Sequence, residues 1–448
     1  RLAAATPDAY EPDLAGALNN LAIDFGAAGR RVEALAACEE ATAVYRRLVV
    51  VNPDVYEPDL ATSLNNLSVR YGAVGRRAEG VIAIEQATEI RRRLAAANPD
   101  AYEHDLAGSL NNLAIRYGEV GRRAEALTAS EEATAVYRRL AADNPDAYEP
   151  DLAASLNNLS VDYGAVGRAE GLVAIEEATE IRRRLAAANP DAYEPDLAGS
   201  LNNLATRYGE AGRRAEALAA SEEATAVYRR LVVANPDDPD AYEPDLAASL
   251  NNLSVHYGEA GRLAEGLSAI EESTAIRRRL AADNPDAYEP DLAMSLNNLS
   301  IRYEAVGRRA DGLSAIGEAI AIRRRLAADN PDAYEPDLAT SLWATAWVLV
   351  GGPEDLSRAL EAATESVEIF TKLAECMPAA YRARLRAAQG TRNDVLKAMG
   401  RAQQAAYRDI LQAAKGTQAD APEAERRPQE AADPPRRRLD GEAPGTPL

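Results

Sequence analysis

Apolar residues recur along this chain at helical spacing, in blocks that repeat. Leu106, Leu110, Leu113, Ala114 and Tyr117 fall at i, i+4, i+7, i+8 and i+11, one stripe along a helix. Gly118 to Gly121 interrupts the stripe and leaves length only for a tight reversal. A second helix is predicted from Arg122 to Asp143, with Leu127, Ala133, Val136, Tyr137 and Leu140 turned inward, and Asn144-Pro145 stops it. Prolines such as Pro12, Pro58, Pro150 and Pro195 are predicted to open the first helix, where a missing N–H costs nothing. Acidic residues beside them, and arginines at the end of the second helix, suit the two ends of the helix dipole. The unit is a helical hairpin.

The hairpin recurs. Paired asparagines stand at Asn19-Asn20, Asn65-Asn66, Asn111-Asn112, Asn157-Asn158, Asn202-Asn203, Asn251-Asn252 and Asn297-Asn298, spaced by 46, 46, 46, 45, 49 and 46 residues. A chain of 448 residues would ordinarily divide into about three domains. A fixed period instead predicts one stack of repeats. Repeats 1, 3 and 5 end their second helix in AVYRRL (Tyr45, Tyr137, Tyr228), whereas repeats 2, 4, 6 and 7 carry Ile90, Ile181, Ile276 and Ile322 before three arginines. Duplication of a two-repeat block explains this alternation, and it makes internal recurrence of a residue weak evidence of use.

The pattern LxxLAxxYxxxG…EAL…A in 110-LNNLAIRYGEVGRRAEALTASEEA-133 resembles the tetratricopeptide repeat, in the lengthened form found in kinesin light chains and bacterial arrays. The resemblance covers residues 8 to 373, with a weaker extension to 415. It implies an all-α fold, a right-handed α-solenoid of stacked antiparallel hairpins whose first helices line a concave surface. One departure matters. The common version is about 34 residues long with Pro closing its second helix; here Arg138 sits near that point and the helix runs on to Pro145. The hairpins should be longer, and the pitch of the short form does not transfer.

The expected organisation is residues 1-7 as the end of a preceding repeat, 8-330 as seven near-identical repeats, 331-378 as a divergent eighth, 379-415 as a degenerate ninth repeat or cap, and 416-448 as a Pro-rich tail too poor in apolar residues to order. The opening RLAAATPDAY matches a repeat junction, so the chain is expected to be the C-terminal piece of a longer protein. No run of 18 apolar residues is available to span a membrane. Net charge of −21 argues against a nucleic-acid partner, which requires a basic face. Arginine far outnumbers lysine, which occurs only at Lys372, Lys397 and Lys415, as expected of a GC-rich genome rather than of a functional demand. Cys38 and Cys376 have no partner spacing and read as small buried hydrophobes in a reducing cytoplasm.

Chemistry is sparse. His104 and His256 replace Pro and Arg of sister repeats and read as solvated variants. No metal-ligand spacing, phosphate loop or nucleophile motif occurs, so neither enzyme activity, metal nor cofactor is expected. The first asparagine of each pair projects with the residue four places on, and the resemblance puts both on the concave wall: Asn65 with Val69, Asn111 with Ile115 and near Gly118, Asn157 with Val161, Asn202 with Thr206, Asn251 with Val255, and Asn297. Such a row either clamps the backbone of an extended peptide or stitches neighbouring helices together. The second asparagine, as in Asn112 and Asn158, is expected to bond across the stack. Trp343 and Trp347 replace Asn297 and Ile301 in repeat 8, as an aromatic anchor for a partner or a surface covered by the ninth repeat. The function these features imply is a non-catalytic scaffold holding a peptide, a helix or an upstream domain of the same protein; arrays of this kind often follow a signalling NTPase or a caspase-like protease. The alternative is a self-assembly module stacking end to end into dimers or filaments.

Overall fold

The computed structural model describes residues 7–236, 241–352 and 355–419. Within them the chain forms seventeen helices and no strand. First helices are α1 (Pro7–Ala27), α3 (Pro53–Ala73), α5 (Pro99–Glu119), α7 (Pro145–Ala165), α9 (Pro190–Glu210), α11 (Glu243–Glu259), α13 (Pro285–Ala305) and α15 (Pro331–Leu349). Second helices are α2 (Arg31–Val51), α4 (Arg77–Ala97), α6 (Arg123–Asp143), α8 (Glu170–Ala188), α10 (Arg214–Ala234), α12 (Leu263–Asp283), α14 (Arg309–Asp329) and α16 (Leu356–Cys376), followed by α17 (Pro378–Ala419). From α1 to α16 each packs on its sequence neighbours, which makes an α-solenoid. Two compact units, 1–396 and 397–448, divide inside α17, and the hairpins belong wholly to the first.

The hairpins are held by few residue types. Leu110, Leu156, Leu201, Leu250 and Leu296 are fully buried in first helices, as are Ile84, Ile175, Ile270 and Ile316 in second helices. Each such side chain stabilises the fold by about 1.5–3 kcal/mol. A left-handed glycine closes each first helix from α1 to α13: Gly121 has φ +76, and the bonds Gly121 N to Gly118 O and Arg122 N to Tyr117 O satisfy the last carbonyls. A clamp then locks the turn. Arg122 lies 4.0 Å over the Tyr117 ring and donates to Glu85, while the Tyr117 hydroxyl donates to the same carboxylate at 2.8 Å. Burial and that bond push the Tyr117 hydroxyl up to about 12. Tyr71, Tyr163, Tyr208, Tyr257 and Tyr303 sit under equivalent arginines.

The alternation between repeats proves to be two solutions at one core position. Tyr45, Tyr137 and Tyr228 are buried where repeats 2, 4, 6 and 7 place Arg91, Arg182, Arg277 and Arg323, each also buried. These arginines donate to a serine and a helix carbonyl of the next repeat, as Arg182 does to Ser200 (2.5 Å) and Asp196 O (3.0 Å). Burial lowers their affinity for the proton, but the polar partners keep the charge satisfied.

Successive turns of the solenoid touch. Arg31 donates to the Tyr334 hydroxyl (2.9 Å), Arg77 to Asp332 O (3.1 Å), and Asn330 Nδ2 to Val74 O (2.7 Å). A Cβ at Gly75 would fall 2.8 Å from Ala333, one at Gly121 2.9 Å from Ala380, and one at Gly29 3.1 Å from Asn284. Turns of repeats 1, 2 and 3 thus seat on the junctions that open α13, α15 and α17.

Several expectations are corrected. First helices open on the proline of Asn-Pro, leaving Pro12, Pro58, Pro150 and Pro195 five residues inside. At most joints, as at Asn52, Asn98, Asn144, Asn189, Asn284 and Asn330, a single Asn joins one hairpin to the next, and a proline so near the start forgoes only one bond. His104 is exposed, but His256 is buried, because the first-helix position it shares with sister arginines is itself covered. Cys38 is buried and its thiol pushed up to about 11 by burial; Cys376 is exposed at the end of α16. Residues 379-415, expected as a degenerate ninth repeat or a cap, lie in a single helix, α17, which runs unbroken through Gly390 and Gly400. It also carries helix past residue 416; the rest of the expected tail, 420–448, and residues 1–6 lie outside the described residues.

Candidate binding surface

First helices of successive repeats contact one another directly, as α5 does with α7, which no neighbouring pair of second helices matches. The stack therefore bends toward its first helices. On that inner side the row of asparagines is bonded within the protein, in two alternating ways. Asn19, Asn111 and Asn202 accept through Oδ1 from Ser63, Ser155 and Ser249 of the next repeat. Asn65, Asn157 and Asn251 instead accept from the second asparagines Asn112, Asn203 and Asn298, at 2.8–2.9 Å. In repeats 2, 4 and 6 the buried arginine decides between the two. Where Arg91, Arg182 or Arg277 engages the serine of the next repeat, that serine is not used on the asparagine, and the second asparagine takes its place. In repeat 7 Arg323 engages Ser341 and Ser341 still donates to Asn297, Ala344 standing where the second asparagine would.

Asn297 is spent at both ends, Nδ2 and Oδ1 meeting Ser341. Asn65, Asn111, Asn157 and Asn202 are half-buried; Asn251 and Asn297 are buried. Ile115 (39 %) and Val161 (45 %) are exposed beside them, while Val69 and Val255 are half-buried. Trp343 is half-buried and donates to Thr391 of α17 at 2.7 Å. Trp347 stands 54 % exposed.

A second row, unnoticed in the sequence reading, shapes the wall more strongly. Arg70, Arg116, Arg207 and Arg302 lie over Gly26, Gly72, Gly164 and Gly258 of the preceding repeat, where any Cβ would collide with the guanidinium. His256 covers Gly209 in the same manner. At residue 162 the row breaks: Asp162 is buried, accepts from Ser130, and reaches nothing of Gly118, around which 4 Å is empty. Burial raises the Asp162 carboxyl above its ordinary 3.8. The second-helix residue aligned ahead of each member changes with it. Cys38, Ile84, Ile175 and Ile270 occupy that position ahead of Arg70, Arg116, Arg207 and Arg302, whereas Ser130 and Ser221 occupy it ahead of Asp162 and His256. The signal was legible as a charge reversal in a column that reads Asp24, Arg70, Arg116, Asp162, Arg207, His256 and Arg302.

Where the guanidinium is missing, a cleft of about 350 Å³ lies between α5 and α7. Ala114, Ile115 and Gly118 form one side, Asn158, Val161 and Ala165 the other, with Asp162 at the base and Arg123 at the rim. It joins two of the expected apolar groove residues, Ile115 and Val161, in one place. Chemically it offers an apolar seat, one amide and one rim cation. Among the described residues no cluster of His, Cys, Asp or Glu could hold a metal, and no helix is long and apolar enough to cross a membrane.

A tetratricopeptide repeat family model matches residues 14–54, 60–100, 106–146, 197–240, 246–286 and 292–332. The unmatched fourth repeat is the one whose turn lacks a residue, so that α8 starts at Glu170. Similar solved structures include BtubC (BKLC) from P. vanneervenii (23 % identity, 55 % of this chain and 90 % of that one, TM-score 0.42). Another is a putative kinesin light chain from Podosopora anserina with nearly identical TPR-like repeats (22 %, 50 % and 97 %, 0.38). A third is a signal transduction ATPase with a tetratricopeptide repeat sensor from Pyrococcus horikoshii (17 %, 71 % and 44 %, 0.42). No curated protein matches the chain. The chain belongs to the tetratricopeptide repeat family.

Proposed function

We propose that this tetratricopeptide repeat chain is a non-catalytic scaffold that holds a peptide, or a segment of a neighbouring domain, along its first-helix wall. The cleft at Asp162 carries the proposal, because it is an unfilled apolar seat on the face where the array bends inward. An aliphatic or aromatic side chain fits between Ile115 and Val161. Half-buried amides above and below it, on Asn111 and Asn157, donate to backbone carbonyls on either side. An acidic residue next to the anchor would meet Arg123. Because successive turns touch, a ligand enters along the inside of the stack rather than between its turns.

Peptides selected from a random displayed library should share an apolar anchor. Replacing Ile115 and Val161 together by Glu should weaken them at least about tenfold, or ~1.4 kcal/mol, with helix content unchanged. Selected peptides that bind the double variant as tightly as the parent would rule the cleft out.

A further inference from the structure

The contact between successive turns uses two edges of the array, and each edge continues beyond the part that is paired. One edge is the row of glycine turns. Gly29, Gly75 and Gly121 are covered by junctions further along the chain, and Gly75 is buried. Gly167, Gly212, Gly261 and Gly307 have the same left-handed conformation, φ from +73 to +78, and the three-residue surroundings of a sister turn, yet they are exposed with nothing within 4 Å of a Cβ. The other edge is the row of Asn-Pro-Asp junctions. Asn284 and Asn330 are half-buried against the turns, and only these two junction asparagines also cap their own helix, through Ala287 N and Ala333 N. Asn52, Asn98, Asn144 and Asn189 carry the same Asn-Pro-Asp sequence and are exposed.

From this pairing we infer that the free turn edge of one molecule docks the free junction edge of a second copy of the same chain. The partner is fixed by the contact already made inside the molecule: glycine turns accept Asn-Pro junctions, and one chain displays unpaired sets of both. Asn98, Asn144 and Asn189 of one copy take the role of Asn330, each donating Nδ2 to the carbonyl that precedes a turn glycine, as Asn330 does to Val74 O. The glycine lets the backbones approach; any Cβ there would hold the edges apart, as at Gly75 against Ala333. The two edges differ, so the interface is heterologous and does not close on itself; association continues head to tail into short filaments. This surface lies on the rims of the hairpins, apart from the inner wall, so it does not depend on the peptide-binding proposal.

Sedimentation equilibrium of the full chain should give a weight-average mass that rises with concentration past twice 47.9 kDa. Two variants test the edges separately. Asn98, Asn144 and Asn189 changed to Ala removes the junction donors. Gly212→Asn with Gly261→Asn adds a Cβ to two free turns while keeping a residue that tolerates the left-handed region. Each variant alone should remain monomeric with parental circular dichroism. Mixed in equal amounts, they retain one intact edge of each kind and should form a dimer of twice the chain mass and nothing larger. A parent that stays monomeric into the high-micromolar range overturns the inference. So does self-association that either variant leaves unchanged, or a mixture that fails to dimerise.

Discussion

Asn157 shows what one amide is asked to do. Its Oδ1 accepts from Asn203 of the next repeat, while Asn111 accepts from Ser155, a hydroxyl that also pairs with Thr134. Changing asparagine to alanine inside a helix gains up to about 0.7 kcal/mol of propensity, and stranding a half-buried donor costs about 1–3 kcal/mol. Asn157→Ala should therefore lower stability by about 1 kcal/mol, and Asn111→Ala by less, since Ser155 keeps a partner. Melts of the two variants check this; equal or absent losses would mean the amides are not shared with the stack. Asp162 provides a pH signature. Its folded carboxyl titrates above the ordinary 3.8 because it is buried, so the native state binds more protons than the unfolded chain just above that value. Stability falls as pH rises through this window and stays lower beyond it. Asp162→Asn should be more stable than the parent at neutral pH, with the gap shrinking as pH drops toward 3.8, measured as the difference in Tm. A gap that widens in acid would contradict the burial.

Among the elements, the period and the two helices per repeat could be read from apolar spacing, and Asn-Pro and Gly marked their ends. The start of the first helix was misplaced because two prolines five residues apart both qualify by local chemistry, and only the packed junction makes Asn52 a one-residue link before Pro53. The degenerate ninth repeat or cap was inferred by analogy; Gly390 and Gly400 permit a turn without requiring one, and α17 continues. The alternation of Tyr and Arg was visible, but its meaning was not, since the arginine acts through a serine 18 residues on. That meaning makes a prediction about joints between repeats. Arg182→Tyr should convert an even joint into the odd kind, with Ser200 turning to Asn157, at a cost within about 1 kcal/mol. Arg182→Ala, which leaves a cavity and an unmatched serine, should cost about 2–4 kcal/mol. Unfolding of the two variants compared with the parent decides; a tyrosine variant worse than the alanine one would break the account.

Across the whole molecule, the features that locate function are departures from the repeat rather than the repeat itself. Contacts such as Asn330 with Val74, 256 positions apart, arise from rotation summed over several hairpins, and no local pattern announces them. The cleft is different: it lies where Asp162 interrupts the basic residues running from Arg70 to Arg302, and sequence comparison among the repeats would have found it. The same logic supplies the most direct test. Ser130→Ile with Asp162→Arg restores the pair that repeats 2 and 3 form with Ile84 and Arg116, so the fold should tolerate it with unchanged helicity. The new guanidinium would lie over Gly118 and fill the cleft, as Arg116 does over Gly72. The measurement is the affinity of a library-selected peptide for this double variant. A loss of at least about tenfold in Kd, ~1.4 kcal/mol, on a fully folded protein is the expected result. An unchanged Kd with the cleft filled would contradict the claim that this wall binds its partner there.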